Sequence, residues 1–381
     1  MKPTGKYVTT SVAGENVKAF VPNSLPPKIS KKELSGLEHQ LQEAELALTK
    51  LQIAGQMIPS IDWFIYAFIR KEALLSSEIE GTQATLTDIF SYEHLNQSGD
   101  SAIEDIEEVA NYVNAINYAF KELEKPRGLP LSIRLLNQCH LRLMQGVRGA
   151  NKQPGEIRTS QNWIGGSRPG TATFVPPPPL NVQSLLGEME AWWHKEDALP
   201  PLIRIAASHV QFETIHPYLD GNGRIGRMLI TLLLAQWDLL DNPLLYLSHY
   251  LKQNQTEYYS RLGAVRLEGN WSGWFEFFLN GVSSMASDAA DTASALHQQV
   301  NKDRKMLHAS SKATVSAIQL FEKLPENPII SMPLVVRLLD VTKPTAIKAI
   351  GVLENCHIIE EVGKSRRDKR YRYTKYMETL Q

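Results

Sequence analysis

The sequence predicts a mainly α-helical protein with one small β-hairpin and a separate, smaller domain at its C-terminal end. Apolar residues recur at helical spacing through most of the first 300 residues. A stretch rich in Gly, Pro and Ser, between residues 146 and 179, interrupts this pattern. Beyond about Thr314, helical segments are followed by two short β-prone ones. A chain of 381 residues, 43% of them hydrophobic, is long enough for two or three domains.

The first predicted unit, residues 1–100, is an extended arm followed by helices. About thirty residues that contain several prolines predict the arm. Apolar spacing then predicts a helix from Lys32 to about Ile53 and a second from about Ile61 to Glu80, which Gly81 ends. Thr85 to Asp88 resembles a capping box that opens a further short helix.

The second unit, residues 101–300, is predicted to be a helical core. The helical segments lie near Ile106–Phe120, Leu131–Met144, Val182, Leu199–Thr214, Met228–Leu239, Leu244–Leu267 and Trp271–Val300. Two short β-prone runs, Asn162–Ile164 and Thr173–Val175, flank several Gly and Pro residues, which is typical of a hairpin. The polar segment Lys302–Lys312 is predicted to be a linker.

The third unit, residues 313–381, has a different pattern. A helix, a second helix from Pro333 to Leu339, a turn and a third helix that ends near Glu354 come first. Two short strands, Ile358–Val362 and Arg370–Tyr373, then flank a charged turn. Three helices followed by a hairpin are typical of a winged-helix domain.

Composition restricts where the protein acts. The net charge is −1, so charge alone indicates neither a nucleic-acid binder nor a membrane-surface protein. No apolar run is long enough to span a bilayer, and MKPTGKYVTT at the N-terminus lacks the apolar segment of a signal peptide. The two cysteines, Cys139 and Cys356, lie far apart and predict no disulfide or metal framework. We therefore expect a cytoplasmic protein that has no membrane association.

The stretch HPYLDGNGRIGR, residues 216–227, concentrates residue types that act on phosphates. Gly221–Gly223 precede a helix, so their backbone N–H groups are expected at a helix N-terminus, where anions bind. Arg224 and Arg227 are three residues apart, on neighbouring parts of one helix face, and can both contact a polyphosphate. The carboxylate of Asp220 suits Mg²⁺, and His216 suits a general base near neutral pH.

Together these residues suit the attack of a protein hydroxyl on a nucleotide phosphate, driven by positioning and charge stabilisation. A simpler alternative is a turn that leads into a solvated helix, because DGNG is a good turn sequence.

The motif resembles the signature HPFxDGNGRxxR of the Fic (filamentation induced by cAMP) family, with Tyr218 in place of the usual Phe. The resemblance extends over most of residues 15–300. It includes AFVPNSLPP at residues 19–27 and PGEIR at residues 154–158. It implies a helical bundle with a β-hairpin flap. It also implies transfer of AMP from ATP to a Ser, Thr or Tyr hydroxyl of a target protein, with release of pyrophosphate.

The resemblance assigns roles to the residues of the motif. His216 would be the catalytic base and Asp220 the Mg²⁺ ligand. Arg224 would contact the phosphates, and Arg227 would clamp the γ-phosphate. The full set that it implies for ATP binding is Gly221, Asn222, Gly223, Arg224, Ile225, Gly226, Arg227, Glu80 and Tyr258, with Tyr259 as an alternative for the adenine pocket.

A second motif, SSEIEG, precedes this core. Glu80 lies in the last turn of a predicted helix, where the helix dipole disfavours a carboxylate, although a solvated glutamate is also compatible with that position. The stretch resembles the family's inhibitory motif (S/T)xxxE(G/N), at Ser76, Glu80 and Gly81. The resemblance implies that Glu80 pairs with Arg227 and thereby prevents productive ATP binding.

Two further sites concern partners. The hairpin from Ile164 to Phe174, including Thr173, resembles the family's flap, beside which a target segment would add as a strand. GKSRRDKRYR, residues 363–372, carries six Lys or Arg and suits DNA phosphates, or equally a solvated basic wing. The resemblance also allows self-modification and a homodimer.

Two rival functions remain open at this stage. The same site would suit removal of AMP from a modified protein, with Glu80 orienting a water molecule. A DNA-binding regulator with a nucleotide-sensing site is the second rival.

Overall fold

The computed structural model describes residues 4–57, 61–95, 102–362 and 369–380. Within these ranges the chain forms sixteen α-helices and five short strands, so the mainly helical fold class is confirmed. No helix among the described residues is both long enough and apolar enough to cross a membrane.

The N-terminal segment is a β-hairpin and not the predicted extended arm. Strand β1 (Gly5–Val12) pairs antiparallel with strand β2 (Glu15–Pro22), from Gly5 opposite Pro22 to Val12 opposite Glu15. Ala13 and Gly14 form a two-residue turn with φ of 50° and 83°. Two successive positive φ angles match the twist of a hairpin, and glycine supplies one of them without strain. Eight of the sixteen strand residues are β-branched or aromatic, a signal that the prolines nearby concealed.

Four helices follow. The first predicted helix is split at Gly36 into α1 (Lys31–Ser35) and α2 (Glu38–Met57), and α1 has a capping box between Ser30 and Glu33. Helix α3 (Ile61–Ile79) ends one residue before the predicted end. Helix α4 (Leu86–Leu95) begins after Thr85, and the predicted capping contacts are present: Thr85 Oγ1 accepts from the Asp88 N–H at 3.1 Å, and Asp88 Oδ2 accepts from the Thr85 N–H at 3.2 Å.

The central bundle contains the helices predicted for the core. They are α5 (Ile103–Glu124), α6 (Ile133–Leu143), α7 (Pro179–Trp193), α8 (Pro201–Ile215), α9 (Asn222–Gln236), α10 (Ser248–Gln253), α11 (Gln255–Glu268) and α12 (Trp271–Ala309). Helices α8 and α9 are buried on nearly every side and pack against each other at the centre. The loop between them, residues 216–221, is therefore held by buried structure.

The predicted central hairpin is smaller than expected. Its two runs meet in a single antiparallel bridge between Ile164 and Phe174, and a 3₁₀ turn at Pro169–Thr171 lies between them. Gly165 and Gly166 both have positive φ, of 70° and 71°, which bends the chain sharply beside the bridge. The two predicted runs therefore do meet, but over one bridge, because the Gly and Pro residues between them favour turns over extended pairing.

The predicted linker at Lys302–Lys312 is wrong for most of its length. Helix α12 continues through residue 309, because its inner face still buries Val300, Asp303 and Leu307. Its polar residues point outward, so composition alone did not reveal the helix. Along this length α12 packs against α2 and the C-terminal segment.

The C-terminal segment combines helices with a three-stranded antiparallel sheet. Its elements are α13 (Val315–Lys323), β3 (Ile329–Ser331), α14 (Met332–Leu339), α15 (Lys343–Asn355), β4 (Glu360–Val362), β5 (Arg370–Arg372) and α16 (Thr374–Leu380), and the strand order is β3-β5-β4. Strand β3 and helix α16 are additions to the predicted outline. The winged-helix interpretation rests on this order of elements and stays a prediction. The basic stretch at residues 363–368 lies outside the described residues, so the DNA-binding prediction gains no support.

Candidate functional site

The motif at residues 216–227 forms the α8–α9 loop and the first turns of α9. His216 ends α8 in a left-handed conformation, with φ of 51° and ψ of 64°. Gly221, with φ of 74°, precedes the first residue of α9, and no side chain caps the backbone N–H groups of that first turn. Because these donors lack intrahelical partners, the start of α9 is suited to an anion, as the sequence predicted.

The loop is fixed by its own side chains. Asn222 Oδ1 accepts a hydrogen bond from the Tyr218 N–H at 2.8 Å, and Asn222 Nδ2 donates to the Tyr218 carbonyl at 2.8 Å. The Tyr218 hydroxyl donates to Asn137 Oδ1 at 2.7 Å, and its ring stacks on His140 at 3.8 Å. Tyr218 is buried, as expected for a residue that replaces Phe. The Asn222 side chain therefore holds the loop, and only its backbone is left for an anion.

His140 also holds the loop in place through hydrogen bonds. The Gly155 N–H donates to His140 Nδ1 at 2.8 Å, so Nε2 carries the proton and donates to the Asp220 carbonyl at 3.0 Å. Burial lowers the pKa of His140 to about 4, which keeps the ring neutral. This histidine is a structural part of the loop.

Arg158 fixes the backbone of His216. This buried guanidinium donates to the carbonyls of His216 at 2.8 Å, Pro177 at 2.7 Å and Ile215 at 3.3 Å. A planar group with five donors can hold several carbonyls at once. The sequence singled out Arg158 only as part of PGEIR, since its partners Ile215 and His216 lie almost sixty residues away.

The His216 ring is a neutral base. Burial and, next, the positive charge of Arg158 lower its pKa to about 4. The imidazole is therefore uncharged near pH 7 and can accept a proton.

The carboxylate of Glu80 lies over the first turn of α9. A Cβ atom at Gly223 would collide with Glu80 Oε1, so only glycine leaves room for that carboxylate. An anionic group thus occupies the place that the helix N-terminus makes favourable for anions.

Arg227 joins this carboxylate to α3. Its Nη2 donates to Glu80 Oε1 at 2.7 Å and to the Ser76 carbonyl at 2.9 Å, and its Nε donates to Ser76 Oγ at 2.8 Å. Burial alone would raise the pKa of Glu80, but the charge and the hydrogen bond of Arg227, together with the charge of Arg224, outweigh burial and lower that pKa. Glu80 and Arg227, which the motif resemblance predicted to pair, are therefore in contact. Gly81, with φ of 97°, turns the chain immediately after Glu80.

Arg224 has a different set of partners. Its Nη1 lies 3.4 Å from Glu108 Oε2, and its Nη2 lies 3.9 Å from Asp220 Oδ1. The two arginines that were expected to share one polyphosphate are thus each held by their own carboxylate. Glu108 was missed because it lies on a helix whose apolar neighbours dominate the pattern, and nothing local marks it as buried.

Asp220 is the one acid of the motif. Its side chain is 42% exposed, and Oδ1 accepts from the Gly221 N–H at 2.6 Å. No cluster of three or more potential metal ligands occurs in the part of the chain that the structure describes. A single exposed carboxylate beside a helix N-terminus fits Mg²⁺ only when phosphate oxygens and water supply the other ligands.

Three of the predicted ATP-binding residues lie in the core. Tyr258 is 1% exposed and its hydroxyl lies 2.8 Å from His209 Nε2, so it presents no surface to a ligand here. Its neighbour Tyr259, the alternative for the adenine pocket, is 47% exposed, and the assignment stays a prediction. Ile225 is fully buried, and Gly226 packs against Glu213, which gives both a packing role.

The flap residues are anchored by the N-terminal hairpin. The Phe20 N–H donates to the Val175 carbonyl at 2.9 Å, and the rings of Phe20 and Phe174 lie 6.4 Å apart. Arg168 pairs with Glu15 at 2.6 Å. Ile164 is 36% exposed, and its backbone carbonyl accepts from the Thr173 N–H at 2.9 Å.

Comparison with known proteins agrees with this geometry. The family profile described as Fic/DOC family N-terminal matches residues 39–121, and that described as Fic/DOC family matches residues 130–234. A probable protein adenylyltransferase from Aquifex aeolicus is 39% identical over 70 residues, which are 18% of this chain and 22% of that protein. The protein adenylyltransferase Fic of Drosophila willistoni is 30% identical over 161 residues, 42% of this chain and 30% of that protein. Each match thus spans less than a third of the relative's own length.

Solved structures share the fold. A Fic family protein from Desulfovibrio desulfuricans G20 has a TM-score of 0.57 at 20% identity, over 92% of this chain and 98% of that one. A Fic domain-containing signalling protein from Bacteroides thetaiotaomicron has a TM-score of 0.54 at 17% identity, over 68% of this chain and 97% of that one. Two family profiles on adjoining segments and a shared fold lead to one conclusion: the chain contains the Fic/DOC family N-terminal domain and the Fic/DOC family domain.

Proposed function

We propose that the protein transfers AMP from ATP to a Ser, Thr or Tyr hydroxyl of a target protein and releases pyrophosphate. The observation that carries this proposal is the α8–α9 loop, which joins a neutral histidine to an uncapped helix N-terminus within six residues. A base and an anion site so close together suit a hydroxyl that attacks a phosphate. The names of the two relatives support the same reaction.

The chemistry follows from this arrangement. His216 takes the proton of the target hydroxyl, and the hydroxyl oxygen forms a bond to the α-phosphorus of ATP. The bond from that phosphorus to the oxygen that bridges to the β-phosphate breaks, and pyrophosphate leaves. The backbone N–H groups at the start of α9 and the Arg224 guanidinium stabilise the charge that develops on the phosphate oxygens.

Asp220 is the residue that would hold Mg²⁺. The ion, when bound, would neutralise phosphate charge. The exposure of the Asp220 carboxylate leaves it available to a metal that also contacts the nucleotide.

We further propose that Glu80 restrains the enzyme. Its carboxylate neutralises Arg227 and lies against Gly223, where a phosphate would otherwise approach α9. ATP then cannot place its γ-phosphate on Arg227. The target protein docks at the flap, where one of its segments adds as a strand beside Ile164.

Label transfer from ATP labelled at the α-phosphate tests both parts. We would compare wild type, Glu80→Gly, and Glu80→Gly combined with His216→Ala, each with Mg²⁺ in a cell extract. The matched control is Glu78→Gly, which removes a glutamate from the same end of α3 but one that pairs with Lys252. Glu80→Gly should raise labelling roughly tenfold or more. A tenfold rise corresponds to about 1.4 kcal/mol of inhibitory free energy, which the loss of a buried ion pair supplies.

The double variant should label nothing, and Glu78→Gly should behave as wild type. Absence of any label with Glu80→Gly, self-labelling included, would count against AMP transfer. AMP release from a modified target by wild type but not by Glu80→Gly would instead favour the reverse reaction, with Glu80 as a working residue.

A further inference from the structure

A buried carboxylate lies between the inhibitory turn and the start of α9. Glu108, on α5, is 1% exposed. Its Oε2 accepts a hydrogen bond from Thr82 Oγ1 at 2.7 Å and lies 3.4 Å from Arg224 Nη1, while its Oε1 lies 3.4 Å from Arg148 Nε. A buried charge is tolerated only when it is paired, so these three donors account for Glu108.

Thr82 connects this carboxylate to the inhibitory glutamate. It lies two residues beyond Glu80, and its backbone N–H donates to the Ser77 carbonyl at 3.2 Å. Gly81, between the two, has a positive φ and open space where a side chain would be. The turn is therefore held on one side by Glu80 on Arg227 and on the other by Thr82 on Glu108.

Both contacts lead to the same helix. Arg227 and Arg224 are one turn apart on α9. Arg227 pairs with Glu80 of the turn, and Arg224 pairs with Glu108, which accepts a hydrogen bond from Thr82 of the turn. When Thr82 donates to Oε2 of Glu108, that oxygen is shared, and Arg224 is held at 3.4 Å and not at the 2.7–2.9 Å of a full charge-assisted hydrogen bond. If the turn moved away, Oε2 would lose its hydrogen bond from Thr82 and would pair with Arg224 alone.

We propose that Glu108 is a positioning residue that holds Arg224 and, through Thr82, joins this arginine to the inhibitory turn. The restraint is then released in one step with two effects. Arg227 becomes available to bind phosphate. The Oε2 atom of Glu108 no longer accepts from Thr82, so it pairs with Arg224 alone and orients this guanidinium. The inference rests on the proposed adenylyl transfer and adds to it a second link that no motif in the sequence marks.

The Thr82 hydroxyl can be tested without disturbing the ion pair. Thr82→Val keeps the shape of the side chain and removes the donor, and Thr82→Ser keeps the donor. Thr82→Val should raise label transfer roughly tenfold over wild type, the factor expected for a lost hydrogen bond to a charged group. Thr82→Ser should stay near wild type. In the Glu80→Gly background Thr82→Val should add nothing, because the turn is already released.

Glu108→Gln tests the positioning role. In the Glu80→Gly background it should lower the labelling rate at saturating ATP several-fold, because Arg224 loses its charged partner, while Thr82→Val in that background leaves the rate unchanged. A fall that is fully explained by unfolding, seen as loss of the thermal transition, would instead make Glu108 a packing residue and overturn the proposal.

Amide hydrogen exchange separates this inference from the proposed function. Thr82→Val should speed exchange in residues 76–83 whether or not any label is transferred. If Glu80→Gly labels nothing while exchange rises, the proposed reaction fails and the link stands. If Glu80→Gly labels strongly but Thr82→Val matches wild type in both labelling and exchange, the link is wrong.

Discussion

At the residue scale, what could be predicted depended on how far apart the partners are in the sequence. The Glu80–Arg227 contact was predicted from two short motifs, and the structure has it at 2.7 Å. Arg158 and Glu108 could not be assigned their contacts with the motif, because His216 and Arg224 lie 58 and 116 residues away from them and nothing local indicates burial. A short motif therefore predicts candidate reacting groups, and the three-dimensional structure identifies the groups that hold them.

Glu213 provides a prediction about pH. Burial raises the pKa of its carboxyl from 4.5 to about 7, although Arg227 acts in the opposite direction. Above the unfolded value the unfolded chain releases this proton while the native carboxyl keeps it, so rising pH costs the native state stability. Glu213→Gln removes that cost. Among the described residues none forms a hydrogen bond with Glu213 Oε1, so the substitution breaks no hydrogen bond at that atom.

We expect the unfolding free energy of Glu213→Gln, relative to wild type, to rise by roughly 2 kcal/mol between about pH 5 and pH 8. Urea unfolding at a series of pH values measures this difference. Glu257→Gln, on the exposed side of α11, is the control. A difference that is constant with pH would mean that Glu213 is already ionised in the native protein.

At the element scale, sequence pattern predicted helices well and extended segments poorly. Helix α3 was located to within one residue of its ends, whereas the segment predicted for α9, Met228–Leu239, starts six residues late and ends three residues late. The hairpin β1–β2 was missed, because its inner face is covered by a distant segment at Val175. Helix α12 was ended too early for the same reason, since its last turns are held by tertiary packing and not by local propensity.

The contact between the N-terminal hairpin and the flap leads to a prediction at this scale. Val17 is buried against Val12 and Val175, whereas Lys18, the next residue of β2, points to solvent. Val17→Ala should weaken this small cluster by about 1–3 kcal/mol. Because the flap has only one bridge of its own, we expect faster amide exchange across residues 162–175.

Lys18→Ala is the matched control, since it changes the opposite face of the same strand and should leave that exchange as it is. Equal effects of the two variants would show that the hairpin does not support the flap.

At the scale of the whole molecule, helix α12 joins the bundle to the C-terminal segment. Asp303 on this helix is buried, and its Oδ2 accepts from the Tyr373 hydroxyl at 2.9 Å and from Gln299 Nε2 at 2.8 Å. Tyr373 follows β5 and stacks on Tyr376 of α16. The apolar core is also continuous across the boundary. We therefore expect the two parts to unfold as one cooperative unit.

Tyr373→Phe tests whether the bundle and the C-terminal segment unfold together. The ring still fills its place, but Asp303 loses one of its two hydrogen-bond donors in a site without water contact, which should cost about 1–3 kcal/mol. The thermal midpoint should fall by a few degrees while unfolding stays a single transition, because the shared core transmits the loss to both parts. Tyr118→Phe, at a half-buried ring on α5, is the control and should leave the midpoint near that of wild type. Calorimetry distinguishes the outcomes: a second, separate transition at low temperature would mean that the C-terminal segment unfolds alone and that α12 is only a tether.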